Sequence, residues 1–146
     1  MAAVFSEKVG FYSCTVPSFE QLALAKFINE GYFESHLART RNFYRRQRDK
    51  MIESIQKSLL GAHCQIREAD AGLHFILDTD TVYTDHEITA RSQALGINIS
   101  CLSEYYADRS KARPGCLVLN YSGVEQEVME EAVRRLARAV LKEGSL

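Results

Sequence analysis

The chain has 146 residues, enough for one domain with a hydrophobic core of its own. Hydrophobic residues make up 46% of it and charged residues 25%, a balance that excludes a largely disordered chain. The formal net charge of -1 gives no overall attraction to nucleic acid, and no apolar run reaches the roughly 18 residues that span a bilayer. We therefore expect a cytoplasmic protein with no membrane partner.

The cysteines and histidines are too scattered to predict a metal site. No two cysteines form a C-x-x-C pair, and no two histidines have the H-x-H or H-x-x-x-H spacing of a zinc site. We therefore expect free thiols in a reducing compartment and no bound metal. The residues concerned are Cys14, Cys64, Cys101, Cys116, His36, His63, His74 and His86.

Two helices are predicted in the first part of the chain. The first begins at Pro17 and Ser18, where Ser18 and Gln21 have the spacing of a capping box, and it ends at Gly31. The second covers about residues 32–60 and would be roughly 40 Å long. Because a small core cannot cover such a length, we expect part of this helix to pack on something else. Its apolar stripe consists of Phe33, Leu37, Thr40, Tyr44, Gln47, Met51, Ile55 and Leu59.

Strands and helices alternate in the rest of the chain, which predicts an α+β fold. Thr84 and Glu87 form a second capping-box pattern, at the start of a short helix. The fold predicted is a two-layer α/β sandwich, with a small mixed sheet, helices on one of its faces and one long amphipathic helix. The predicted segments are a hairpin of strands 63–68 and 72–78, a helix from 84 to 95, strands 97–101 and 116–121 around a loop, and a last helix over 125–142.

Six motifs, in this order and spacing, make the chain resemble the C-terminal part of the MocR-type regulators. These regulators belong to the GntR family and carry a fold-type-I aminotransferase domain. The resemblance covers about residues 16–141 and includes a Q-x-A-L-A-x-F helix followed by G-x-x-x-x-H-L-x-R-x-R. The matching segments are 21–27, 31–41, 44–48, 71–74, 102–106 and 115–122.

The resemblance implies the small domain of an aminotransferase, which closes over a cofactor held by a large domain. It implies that residues 1–16 are a connector from that large domain and that 17–146 are the small domain. The pyridoxal phosphate (PLP) of the parent protein would be bound by a lysine and an aspartate upstream. We therefore expect no cofactor, no cofactor-binding residue and no catalytic residue in this chain, and no enzyme activity of its own. The parent would be aminotransferase-like, a homodimer, and would bind DNA only through an absent N-terminal domain.

The resemblance also points to residues that would face a substrate or effector. In ordinary aminotransferases a small-domain arginine binds the substrate carboxylate, and its place in the late strand falls near Leu117 or Val118 here. A guanidinium suits that role because it donates two parallel hydrogen bonds to a carboxylate. Both residues are apolar, so we take Arg113 as the nearest substitute and Tyr105 as a residue at the same mouth. Of the pair Tyr105 and Tyr106, we expect one in the core and one exposed.

Two other functions remain open from the sequence. The chain is alternatively the small domain of an ordinary amino-acid aminotransferase, although the missing strand arginine argues against it. It is alternatively a free-standing nucleic-acid-binding module that uses the basic helical segment from Arg39 to Lys50 to contact phosphates. Glu34, Asp49 and Glu53 are interspersed in that region, which favours an ordinary solvated helix face.

Overall fold

The computed structural model describes residues 7, 16–70 and 72–142. It divides the chain into two compact units, Met1–Arg41 and Asn42–Leu146, which are described separately below. The predicted connector, with its apolar residues between 4 and 12, falls almost entirely outside the described residues. The helices are α1 (Ser18–Asn29), α2 (Tyr32–Lys57), α3 (Asp85–Ala94) and α4 (Met129–Val140), and the strands are β1 (Cys64–Arg67), β2 (His74–Thr79), β3 (Ser100–Cys101) and β4 (Cys116–Asn120).

The first unit contains α1 and the beginning of α2. Gly31, with a φ of 77°, separates them as predicted. The predicted capping box at Ser18 is wrong, because Pro17 is the N-cap and no side chain caps the helix. Ser18 is thus already helical, and Gln21 donates instead to the carbonyl of Val16 at 2.8 Å. No residue of α1 is buried, although the helix is mostly apolar.

The second unit is built on a four-stranded sheet with the strand order β1-β2-β4-β3. Every neighbouring pair is antiparallel, so the α+β class is confirmed but the sheet is not mixed. The strand β3, which follows α3 in the chain, runs parallel to β2. However, β4 lies between these two strands and is antiparallel to both, so β2 and β3 do not pair.

Side chains alternate between the two faces of this sheet. Phe75, Leu77 and Leu117 are fully buried, and Phe75 stacks on Tyr121 with 6.1 Å between the ring centroids. On the other face Ile76 and Val118 are half-buried and His74 is exposed, while Asp78 and Cys116 at one end are buried. One face therefore carries the core, as predicted, and the other remains accessible. The core cluster also includes Met51, Ile55, Leu60, Ile88, Met129, Val133, Leu136, Ala137, Val140 and Leu141.

The long helix and the last helix are shorter than predicted. The stripe of α2 is buried only at Gln47, Met51 and Ile55, while Leu59 follows the helix in a short 3-10 segment and is exposed. The helix α4 begins at Met129, not near residue 125 as predicted, and Val128 just before it is half exposed. Only the C-terminal half of the α2 stripe is therefore buried. Periodicity alone does not predict which half of the stripe packs in the core.

The predicted capping box of α3 is confirmed. The Thr84 hydroxyl accepts from the Glu87 backbone N–H, and the Thr84 N–H donates to the Glu87 carboxylate at 2.8 Å. These bonds from the Thr84 backbone and hydroxyl hold the pKa of Glu87 below its ordinary value. The charged carboxylate thereby stabilises the first turn of the helix.

We expect Thr84→Ala to lower the free energy of unfolding by about 1 kcal/mol, because a helix N–H loses its acceptor. Urea denaturation measures this loss, and Ser35→Ala at an exposed helical site should change little. Because the native pKa of Glu87 is depressed, its contribution is fully present above its unfolded-state pKa. It is lost as the pH falls through the native pKa, so the effect should shrink in acid. An undiminished effect in acid would contradict this role of Glu87.

Candidate functional site

The accessible face of the sheet has an apolar centre where the resemblance implies an arginine. Leu117 points into the core and cannot face a ligand, whereas Val118 is half-buried on the opposite face. Val118 lies opposite Ile76 on β2 and Ser100 on β3. Of the two positions left open by the sequence, Val118 is therefore the one on the accessible face, and it offers no hydrogen bond.

A cavity of about 580 Å³ lies beside Val118 and extends to the core-facing side of α4. Its lining is mainly aliphatic, with His74, Ser100 and Asn120 as polar members. Tyr105 contributes to its wall and is exposed, and so is Tyr106. The expectation that one of these tyrosines is buried is therefore wrong. Tyr105 ends a short 3-10 helix, Leu102–Tyr105, so the strand-like alternation assumed for the pair does not apply.

Arg113 lies elsewhere, in an ion-pair cluster built on a buried carboxylate. The Asp78 side chain is only 5% exposed, and its Oδ2 accepts from Arg113 at 2.8 Å and from Arg67 at 3.3 Å. A smaller cavity of about 270 Å³, which Arg113 lines together with Asp78, lies next to this cluster. The structure therefore places Arg113 and Tyr105 at different cavities, not at one mouth.

Strand pairing and one loop bring Asp78, Arg67 and Arg113 together. Asp78 lies opposite Gln65 on β1, and Arg67, two residues further along β1, projects from the same face. Arg113 arrives from the loop before β4. That loop is fixed at Gly115, whose carbonyl accepts from the Thr79 N–H at 3.0 Å and from the Thr79 hydroxyl at 2.7 Å.

The same loop is held from α3 as well. The Asp85 carboxylate accepts from the Gly115 N–H at 2.8 Å and also from the Ser103 hydroxyl. Asp85 thus fixes the loop before β4, whereas Asp78 is the centre of the cluster. The sequence reasoning missed both Asp78 and Arg67 as site residues.

The thiol beside this cluster, that of Cys116, lies in surroundings that disfavour its thiolate. Cys116 is buried opposite Asp78 in the register of β2 and β4. Burial raises the pKa of the Cys116 thiol, and the Asp78 carboxylate raises it further. Burial likewise raises the pKa of Cys101 to about 11. Because the thiolate is the reactive form, these shifts disfavour reaction of both groups at neutral pH.

The described residues do not fit PLP by themselves. A PLP site requires a lysine that forms the imine and an acidic partner for the pyridine nitrogen. None of the described lysines lines the apolar cavity or the cavity next to Arg113. Lys26 pairs with Glu30 and Lys57 pairs with Glu53. We therefore derive no chemical step through that cofactor from this chain.

Part of the basic segment of α2 makes contacts within the second unit. Arg48 donates to the Asp70 carboxylate at 2.8 Å and pairs with Asp49. The Lys50 ammonium donates to Gln126 at 3.1 Å.

In residues 16–70 and 72–142 there is no group of three or more His, Cys, Asp or Glu that could hold a metal ion. No helix of that same part is both long and apolar enough to cross a membrane.

Comparison with known proteins identifies bacterial regulators as relatives. The chain is 33% identical over 121 residues to the probable rhizopine catabolism regulatory protein MocR of Rhizobium meliloti, covering 83% of this chain and 24% of that protein. It is 29% identical over 133 residues to the HTH-type transcriptional regulator YdeL of Bacillus subtilis, covering 91% and 28%. The chain thus spans about a quarter of the length of these relatives. No protein-family profile matches it.

Solved aminotransferases share its fold. The kynurenine aminotransferase of Pyrococcus horikoshii matches with a TM-score of 0.68 and 21% identity, over 78% of this chain and 28% of that one. The α-aminoadipate aminotransferase LysN of Thermus thermophilus, solved with N-(5'-phosphopyridoxyl)-L-leucine, matches with a TM-score of 0.68 and 19% identity, over 86% and 31%. The homologues of this chain are therefore MocR-type regulators of the GntR family, and its fold is that of part of these aminotransferases, which matches the C-terminal small domain that its sequence resembles.

Proposed function

We propose that this chain is the closing domain of a PLP-dependent, aminotransferase-like transcriptional regulator. In the parent protein it would cover the cofactor and effector that a large domain holds. The parent would bind DNA through a separate N-terminal domain, act as a homodimer and work in the cytoplasm. The observation that carries the proposal is the match of most of this chain to about a quarter of regulators such as MocR.

The apolar surface of α1 supports a large-domain partner. Leu22 and Phe19 are each 71% exposed, and the helix has no buried residue. A helix that is apolar on most of its circumference is normally enclosed by protein. The relatives are more than three times as long as this chain, and a large domain would supply the surface that covers α1. Residues 1–16 would connect the two domains.

Arg113 and Tyr105 remain the residues that we assign to the substrate or effector. Arg113 has an exposed guanidinium fixed on Asp78, and Tyr105 borders the apolar cavity. Because they line different cavities, they would contact different parts of a ligand, with Arg113 at an anionic group and Tyr105 at an apolar one. The ligand would be enclosed only when the large domain completes both cavities.

The two alternative functions have weaker support. An ordinary aminotransferase small domain would share this fold, but Val118 occupies the accessible position where the resemblance implies an arginine. A free-standing nucleic-acid-binding module would use the face that includes Arg45 and Arg46, which are exposed. Arg48 and Lys50 of the same segment are engaged within the domain. The relatives bind DNA as HTH-type regulators, which favours a separate DNA-binding domain in the parent.

The coding sequence upstream of Met1 tests the proposal first. We expect it to continue in frame into a large domain with the lysine that forms the PLP imine. A mixture of that polypeptide with this chain should then form a complex measurable by titration calorimetry. Leu22→Arg should weaken the complex about tenfold or more, because burial of a leucine contributes about 1.5–3 kcal/mol.

Val82→Arg is the matched control for this experiment. Val82 is 75% exposed, close to the exposure of Leu22, but it precedes α3 and lies in the second unit. The same apolar-to-charged change should leave the affinity unaltered there. The proposal is wrong if no large domain is encoded upstream, or if both variants weaken the complex equally.

A further inference from the structure

The cluster of Arg67, Asp78 and Arg113 contains more positive charge than its internal contacts require. Two guanidinium groups share one oxygen, Oδ2, of a single carboxylate. The second oxygen, Oδ1, is buried and has no hydrogen-bond partner among the described residues. Two positive charges against one negative charge leave the cluster net positive. Two like charges held this close repel each other until another anion joins them.

Both guanidinium groups keep free hydrogen-bond donors. Each guanidinium has five N–H groups, and each donates through one nitrogen to Asp78. The side chain of Arg67 is 59% exposed and that of Arg113 is 66% exposed. Neither has another hydrogen bond or ion pair within the described part of the chain. The donors that remain are therefore open to a ligand, while the buried carboxylate fixes where they are.

We propose that Arg67 and Arg113 form a two-arginine clamp for an oxyanion, the carboxylate or phosphate of a small molecule. Asp78 is its positioning residue. An oxyanion that accepts one hydrogen bond from each arginine replaces water around both and relieves their repulsion. This inference rests on the proposed function for Arg113, and it adds Arg67, Asp78 and the chemical class of the ligand group.

A purely structural ion pair is the alternative explanation of the cluster. One arginine would suffice to neutralise the buried Asp78 carboxylate, so a purely structural role leaves the second guanidinium unexplained. Asp80 also lines the neighbouring cavity and is exposed. Its negative charge would repel an anion that approached through that cavity.

Titration of the full chain with sodium acetate and, separately, with inorganic phosphate tests the clamp. The side-chain Nε–Hε signals of Arg67 and Arg113 are followed by NMR at constant ionic strength. We expect both signals to shift together with one dissociation constant for at least one of the anions. The anion with the lower constant identifies the class of ligand group. Shifts of neither signal, or of only one, overturn the inference.

Arg67→Gln and Arg113→Gln should each weaken binding about tenfold, the size of one lost charge-assisted hydrogen bond. Arg109→Gln is the control. Arg109 is exposed in the same loop, so its loss removes the same charge without touching Asp78. An equal loss in all three variants would mean that only the general positive field attracts the anion, and the clamp would be rejected.

Asp78→Asn separates positioning from charge. It makes the cluster more positive, so simple attraction predicts tighter anion binding. If Asp78 positions the arginines, binding becomes weaker despite the added charge, in a variant whose backbone spectrum shows the native fold. Tighter binding would remove the positioning role. Binding at Arg113 without Arg67 would leave the proposed function intact, whereas the Leu22→Arg experiment tests that function independently of any anion.

Discussion

Phe75→Ala should lower the free energy of unfolding by about 3–5 kcal/mol, which is a large part of the stability of a domain of this size. Phe75 is completely buried on β2, and its ring stacks on that of Tyr121. Tyr121 is itself buried, and its hydroxyl donates to the Gly72 carbonyl at 2.7 Å, so it cannot move to fill the space. The substitution therefore leaves a cavity in addition to the loss of buried apolar surface. Urea denaturation of the whole chain measures the effect.

Phe43→Ala removes the same atoms from an exposed site and is the control. Phe43 makes an edge-to-face contact with Tyr44, with 5.2 Å between the ring centroids, and is otherwise exposed. We expect it to cost less than about 1.5 kcal/mol, the upper value for one aromatic pair. Similar losses in the two variants would show that Phe75 does not lie in the core described here.

Gly115→Ala is expected to cost about 2–5 kcal/mol. Its φ of 76° is in the left-handed region, which costs a residue with a Cβ about 1–2 kcal/mol. A Cβ would also lie 2.9 Å from the Thr81 Cγ2 and 3.1 Å from the Thr79 carbonyl oxygen. Relief of that overlap requires the loop to move away from β2, at a cost of about 1–3 kcal/mol. Denaturation measures the total.

Gly96→Ala separates the two causes. Gly96 has the same φ of 76°, but a Cβ there would meet only the flexible Arg135 side chain, at 3.6 Å. It should show the conformational cost alone, so the difference between the variants is the cost of the close approach at Gly115. We also expect Gly115→Ala to shift the Arg113 side-chain signal, since the loop that carries Arg113 is fixed at Gly115. Equal costs at both glycines would contradict the packing argument.

Local signals in the sequence were sufficient where neighbours along the chain decide the structure. Thr84 and Glu87 cap α3 as predicted because the residue before the helix has an extended backbone and its hydroxyl faces the first turn. Ser18 and Gln21 have the same kind of spacing but form no capping box. Pro17 there takes the extended N-cap conformation, with a ψ of 142°, and Ser18 falls inside the helix. The pattern is therefore informative only when the start of the helix is known to within one residue.

Contacts between distant segments limited what could be predicted of the site. Arg113 was singled out because it lies close to the late strand in sequence. Asp78 was not singled out, because an aspartate at the end of a predicted strand is usually a turn residue. The partners of Asp78 are Arg67 on the neighbouring strand β1 and Arg113 in a loop 35 residues further along the chain. Periodicity carries no information about either partner. The hairpin was predicted without a register, and only the observed pairing of Arg67 with Ile76 places Arg67 and Asp78 on the same face.

The two outer strands of the sheet determine how the domain behaves beside copies of itself. β3 has two residues and β1 has four, so each margin offers few unpaired backbone N–H and C=O groups. Arg67 adds a charge on β1. A second molecule that tried to extend the sheet would gain few hydrogen bonds and would have to desolvate that charge. Short, charged margins of this kind discourage amyloid-like stacking while the polypeptide is being synthesised and folded.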